Sequence, residues 1–239
     1  MRRRRWSVRA AAAVAVTALT LAGCSSAAED TGSGTSGDEK APASGSASGE
    51  ARADAGGLPG VPSARQAREA LGKLTVRPHG SMDGYSREKF PHWSSQGERC
   101  DTREKVLQRA GRDVKQNDEC RAVSGRWTSV YDDKTFTDAS DLDIDHMVPL
   151  ANAWRSGARE WDQERREGFA NDLTRPQLLA VSATTNRTKG DQGPEDWQPP
   201  AKGYRCTYAR AWTGVKSHYR LSVTSAEKTT LTRMLESCS

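Results

Sequence analysis

Apolar positions along the chain fall into short runs separated by turn residues, and the period of each run predicts an element. Residues 63–73, "SARQAREALGK", carry a helical stripe behind Ser63, an N-cap residue. In "CDTREKVLQRAG" Asp101 caps a helix, Glu104 sits at the capping-box position, Val106, Leu107 and Ala110 form the stripe, and Gly111 stops it. "GRWTSVY" alternates and is rich in β-formers, "DDK" turns the chain and "TFTD" returns, which predicts a hairpin. "DLDIDHMVPL", residues 141–150, reads as a strand in which aspartates alternate with Leu142 and Ile144 before a histidine and a proline. Residues 151–173 predict two helices broken at Ser156 and Gly157, the second capped by Asp162. "PQLLAVS" suits a buried strand, and "SATTNRTKG" a helix from Ser182 to Gly190. The C-terminal "TSAEKTTLTRMLESC" predicts a helix with Leu231, Met234, Leu235 and Cys238 on one face. No internal repeat is present, and the mixture of elements predicts an α+β fold.

The N-terminus follows a different pattern. Arg2 to Arg5 and Arg9 precede a short uncharged apolar stretch, which predicts an export signal over residues 1–23. The segment closes on "LAGC" and resembles a bacterial lipobox, with Cys24 as the expected lipidation site and a lipid anchor at the outer face of the cell membrane as the expected location, before any extracellular release. Residues 24–60 hold six acids and two bases among Ser, Gly and Ala, a composition that cannot bury enough apolar surface to order itself, and predict a tether. Residues 61–239 are long enough for one domain.

Charge and cysteine content narrow the choices. The net charge of +5 belongs to the five signal arginines, since the rest of the chain has 31 basic and 31 acidic residues. Global charge therefore does not argue for a nucleic-acid partner, and only a local patch could. Beyond Cys24 the four cysteines Cys100, Cys120, Cys206 and Cys238 allow three pairings in an exported protein. The local pairing, Cys100 with Cys120 and Cys206 with Cys238, is favoured over a zinc site, because no two have metal-knuckle spacing.

Three separated polar positions carry the candidate chemistry: Asp145-His146, Asn171 in "ANDL", and Asn186 in "NRTKGD". Their order resembles the HNH nucleases of the ββα-metal (His-Me finger) superfamily. More narrowly, "DIDHMVPLANAWRSGA", "ANDL" and "LLAVSATTNRTKGD" resemble exported actinobacterial HNH proteins related to the C-terminal domain of the GmrSD restriction systems, over about residues 98–238, with the motif core at 125–190. The resemblance implies a ββα-metal core with additional helices and two disulfides. It implies His146 as general base, Asn171 as the residue orienting it, and Asp145 and Asn186 as ligands of one divalent metal. It also implies a nucleic-acid substrate; DNA is expected in preference to RNA, and with no protein partner evident a monomer is expected. Lys189 and Arg187 beside Asn186, and Arg155 in "AWRSG", are the candidate phosphate-binding cations.

The chemistry supports such a set independently. An imidazole titrates near working pH and can take a proton from water, while a cation offsets the charge that develops on phosphate and leaving oxygen. Asn186 at the third position offers a hard oxygen, which suits Mg²⁺ or Mn²⁺ better than tight zinc. Adjacent strand residues point to opposite faces, so Asp145 and His146 can serve one site only if the strand ends or bulges there. His79, His92 and His218 read as surface or loop residues, Asp141 and Asp143 as capping or pairing groups, and Trp154, Trp161, Trp197 and Trp212 as packing aromatics. Two other classes are a zinc cell-wall hydrolase, which needs more ligands than the one convincing histidine, and a noncatalytic extracellular DNA-binding lipoprotein.

Overall fold

A computed structural model describes residues 57–238; the signal, Cys24 and most of the expected tether lie outside the described residues. The last tether positions fall inside them, and Leu58 is already buried in the core. The fold is α+β, with seven α-helices, two small antiparallel sheets and two disulfides among the described residues.

Local signals set most of the elements. Helix α1 (Ala64–Lys73) starts in a full capping box, with Ser63 and Gln66 satisfying each other's backbone N–H groups. Helix α2 (Thr102–Ala110) begins at Asp101, whose side chain accepts the Glu104 N–H. Glu104 does not complete the box; its carboxylate accepts the Ala122 N–H and so ties the helix to the hairpin. Strands β1 (Arg112–Gln116), β2 (Ala122–Thr128) and β3 (Thr135–Phe136) form the first sheet in the order β1-β2-β3. Trp127 lies opposite Phe136, as the alternation predicts.

The second sheet is a ribbon of two strands, β4 (Leu142–His146) and β5 (Leu178–Ser182), paired antiparallel in unbroken register from Leu142↔Ser182 to His146↔Leu178. Between them run α3 (Leu150–Arg155) and α4 (Gln163–Ala170), the latter capped by Asp162. The break comes at Ser156 and Gly157, where Gly157 takes a φ of 135° that side-chain-bearing residues rarely adopt. Helix α5 (Ala183–Lys189) follows β5 directly, capped by Ser182 and ended by Gly190, so β4, β5 and α5 make a ββα unit.

The ribbon separates two apolar clusters. Leu142, Ile144, Leu178 and Ala180 pack with Val106, Leu107 and Trp127. Leu179 and Val181 face a larger core built on α1, α3, α6 (Arg205–Tyr219) and α7 (Ser225–Glu236). Both faces of β5 are therefore covered, which is why its sequence is continuously apolar. On α7, Leu231, Met234, Leu235 and Cys238 are all buried, and Cys238 bonds Cys206 on α6. The other disulfide joins Cys100 to Cys120, so both local pairings form.

Candidate active site

Strand β4 carries Asp143 and Asp145 on one face and Ile144 and His146 on the other, and it ends at His146. At this strand end Asp145 and His146 are both among the residues lining a cleft of about 220 Å³ at the tip of the ribbon. Asn186, Arg187, Tyr85 and Arg87 line the same cleft. Asp145, His146 and Asn186 are thus brought together from positions 40 residues apart along the chain.

The chain leaving His146 is pinned by Gln177. Its side chain accepts the Val148 N–H at 3.1 Å and donates to the Val148 carbonyl at 3.0 Å, while its own carbonyl accepts the Met147 N–H at 2.7 Å. Gln177 is fully buried, and the only sign of it in the sequence is a polar residue placed directly before an apolar strand.

His146 is 4% exposed, and its Nε2 lies 2.9 Å from the Ala170 carbonyl. A carbonyl oxygen only accepts, so Nε2 carries the proton and Nδ1 holds the lone pair. Nδ1 has no protein partner among the described residues. Burial, only partly opposed by the Ala170 bond, lowers the imidazole pKa to about 3 and keeps the ring neutral. The indole of Trp93 stacks on this ring at 6.1 Å with the planes 28° apart, and His92 meets it edge-on at 6.5 Å. Trp93 takes a φ of 63°, uncommon for a bulky residue. His92, read from sequence as a surface or loop histidine, accepts from the Nε of Arg87, a cleft-lining residue, at 3.3 Å.

Asp145 is held from beneath. Lys189 Nζ donates to its Oδ1 at 3.0 Å and Oδ2 at 2.7 Å, and to the His146 carbonyl at 2.8 Å; the Tyr131 hydroxyl adds a bond to Oδ2 at 2.6 Å. Burial drives the Asp145 pKa up and the Lys189 pKa down, and the ion pair opposes both shifts. Asn186 donates from Nδ2 to Asp143 Oδ2 at 3.1 Å, which leaves its Oδ1 without a protein partner among the described residues.

Three sequence expectations need correction. Lys189 is fully buried under Asp145 and has no reach to a phosphate; three residues past Asn186, it lies on the side of α5 that packs against β4. Asn171 does not touch His146. It ends α4, where it accepts from the Ser94 N–H and the Thr102 hydroxyl and donates to the Pro91 and Glu167 carbonyls. It directly follows Ala170, whose carbonyl accepts from His146 Nε2. Arg155 is bound to the side chain and carbonyl of Asp191 rather than open to a ligand. Arg187 lines the cleft, with its side chain 76% exposed and 3.7 Å from Asp143.

Residues 99–234 match the GmrSD restriction endonucleases, C-terminal domain, and the chain belongs to that family. It is also 57% identical over 180 residues to an uncharacterized secreted protein of Arthroderma benhamiae, covering 75% of this chain and 88% of that protein. No solved structure matches the chain. Tyr85 and Arg87, which line the cleft, and His92 and Trp93, which pack on the His146 ring, all precede the matched region.

An HNH-like family implies a divalent metal. Among the described residues no group of three or more His, Cys, Asp or Glu is placed to hold one. The oxygens at the cleft nevertheless fit a hard cation. Asp145 Oδ1 accepts a single bond and retains a lone pair, and Asn186 Oδ1 accepts no hydrogen bond among the described residues, while Asp143 accepts from Asn186 Nδ2. An all-oxygen set suits Mg²⁺ or Mn²⁺ and is poor for zinc.

Proposed function

We propose that the protein is a metal-dependent endonuclease that hydrolyses phosphodiester bonds of nucleic acid, DNA in preference to RNA. The observation that carries this reading is a neutral imidazole locked by a carbonyl at Nε2, with Nδ1 unpartnered, in the same cleft as Asp145 and Asn186. Asp145 and Asn186, with Asp143 beside them, would hold Mg²⁺ or Mn²⁺, which when bound supplies Lewis-acid stabilisation of the phosphate and leaving oxygen.

The chain's own residues then have defined tasks. His146 Nδ1 takes the proton of the attacking water, and the Ala170 carbonyl stabilises the imidazolium through Nε2–H. The low basicity of the buried ring rises when an anionic phosphodiester enters the cleft, because the nearby negative charge favours the protonated form. Arg87 and Arg187 on the walls offset the phosphate charge. Lys189 and Tyr131 fix the Asp145 carboxylate from behind.

The same reading places the protein outside the cell, supported by its two disulfides and by a relative described as secreted. Lipidation of Cys24 rests on the "LAGC" sequence alone, and no described helix is long and apolar enough to cross a membrane. Incubating the purified chain with plasmid DNA in Mn²⁺ or Mg²⁺, and in parallel with EDTA, tests the proposal. Nicking that EDTA abolishes is the expected result. An intact plasmid with either metal overturns it.

A further inference from the structure

Away from the cleft, the start of β1, the end of β2 and the N-terminal half of α6 enclose a groove of about 850 Å³, lined in part by Arg109, Arg112, Arg126, Arg210, Thr128 and Asp133. It shares no lining residue with the cleft. Four arginines and one aspartate thus line a single concavity.

The arrangement of two of them is the informative part. Arg112 and Arg126 are direct cross-strand partners, so their side chains leave the same face of the sheet roughly 5 Å apart at the Cα atoms. Like charges in directly opposed positions destabilise a strand pair. Neither arginine has a carboxylate within ion-pair distance among the described residues. The register shifts just beyond Arg112, so the facing pair stands alone at the open end of the ladder.

The rest of the local structure keeps this face clear. Trp127, one residue from Arg126, points the opposite way into the core, and its Nε1 donates to the Leu107 carbonyl at 2.8 Å. Gly111 and Gly125 make room for its indole; a Cβ on either would lie within 2.5 Å of it. Thr128, two residues from Arg126, returns to the groove side. Across the groove, Arg210 uses Nε on the Pro62 carbonyl and its terminal nitrogens make no hydrogen bond among the described residues, while Arg109 is fixed by the Leu173 and Leu178 carbonyls.

We propose that this groove is a second binding site that takes the phosphodiester backbone of the nucleic-acid substrate, away from the point of cleavage. Guanidinium forks match phosphate oxygens in pairs, and Arg112, Arg126 and Arg210 offer them here. An anion bridging Arg112 and Arg126 converts a repulsive pair into a shared contact. Contacts of this kind position a nucleic acid without reading its sequence. The proposal rests on the nuclease reading for the identity of the polyanion.

The test separates the two. Binding of a fluorescein-labelled duplex of about 30 base pairs to the full chain is followed by anisotropy in EDTA over a salt series, for wild type, Arg112→Ala/Arg126→Ala and Arg112→Glu/Arg126→Glu. Circular dichroism checks that each variant folds. Losing two phosphate contacts should lower the slope of log K against log salt by roughly 1.8 and weaken binding about tenfold or more at low salt. Hydrolysis of bis(p-nitrophenyl) phosphate with Mn²⁺, a substrate too small to reach the groove, should be unchanged. Equal affinity and slope in wild type and folded variants overturn the groove, as does a wild type that binds no duplex. Arginine-dependent binding to phosphatidylglycerol vesicles without duplex binding also overturns it, because the partner is then a membrane. Arginine-dependent duplex binding by a wild type that hydrolyses neither DNA nor the small diester supports the groove while the nuclease reading fails.

Discussion

Replacing Lys189 with methionine keeps most of the buried volume and deletes the ammonium that Asp145 and the His146 carbonyl both accept from. Lys189 is fully buried and Asp145 is 5% exposed, so the variant leaves a carboxylate in the interior with Tyr131 as its remaining donor. Removing one partner of a buried ion pair costs about 3 to 5 kcal/mol, far more than a surface pair contributes. For a domain of this size that corresponds to a fall in Tm of roughly 6 to 20 °C. The sign of the pH effect follows. Burial already raises the Asp145 pKa, and loss of Lys189 raises it further, so the folded variant binds a proton that the unfolded chain has released. The deficit should therefore be largest at neutral pH and narrow as pH falls toward the ordinary carboxylate range. Thermal unfolding followed by circular dichroism in EDTA, from pH 4.5 to 7.5, measures both. Adding Asp145→Asn should recover part of the loss, because no charge is then stranded. A variant as stable as wild type, with its defect confined to DNA affinity, would refute the buried-pair argument and return Lys189 to the phosphate.

Three other outcomes follow from the same structure. Burial holds the His146 pKa at about 3, below its unfolded value, so its contribution to stability is complete above about pH 6.5 and is lost as pH falls toward 3. For metal-free protein this removes about 2 kcal/mol between pH 7 and 5, and urea midpoints that stay flat over that range would contradict it. Gln177→Ala leaves the Val148 N–H and carbonyl unpaired in the interior, at a cost of about 2 to 4 kcal/mol, and should slow cleavage by displacing His146; full activity would show that the bracket is dispensable. Reducing the disulfides, whose cysteines are 20 and 32 residues apart, should lower stability by at most about 3 and 4 kcal/mol on loop-entropy grounds, read as a drop in unfolding midpoint with dithiothreitol; an unchanged midpoint would show that neither bond constrains the unfolded chain.

The elements legible in the sequence are those whose signals are local. Ser63, Asp101, Asp162 and Ser182 each accept a hydrogen bond from the helix they start, because capping needs only residues three apart. Gly157 and Gly190 likewise mark the break and the stop they predict. Helix α6 was not legible, since Tyr208, Ala209, Ala211, Trp212 and Val215 bury it on most sides and no single stripe stands out. Strand β1, "RDVKQ", lacks alternation because its pairing with β2 is irregular.

In the candidate site, order along the chain brought Asp145, His146 and Asn186 to one cleft, since the ββα unit fixes their spacing. It misplaced Lys189 and Asn171, whose surroundings depend on which side of a helix faces the ribbon and on a loop 80 residues away. It passed over Gln177, Arg87 and Trp93 for the same reason. Their roles arise from tertiary contacts made by polar or aromatic residues with no periodic pattern.

The account depends most on His146 as the group that takes the proton. Single-turnover cleavage of a labelled duplex with Mn²⁺, comparing wild type with a His146→Ala variant that folds by circular dichroism, measures that role directly. A fall in rate of about 10² to 10⁴ with duplex affinity retained is the expected result. Cleavage at the wild-type rate by the folded variant would contradict it.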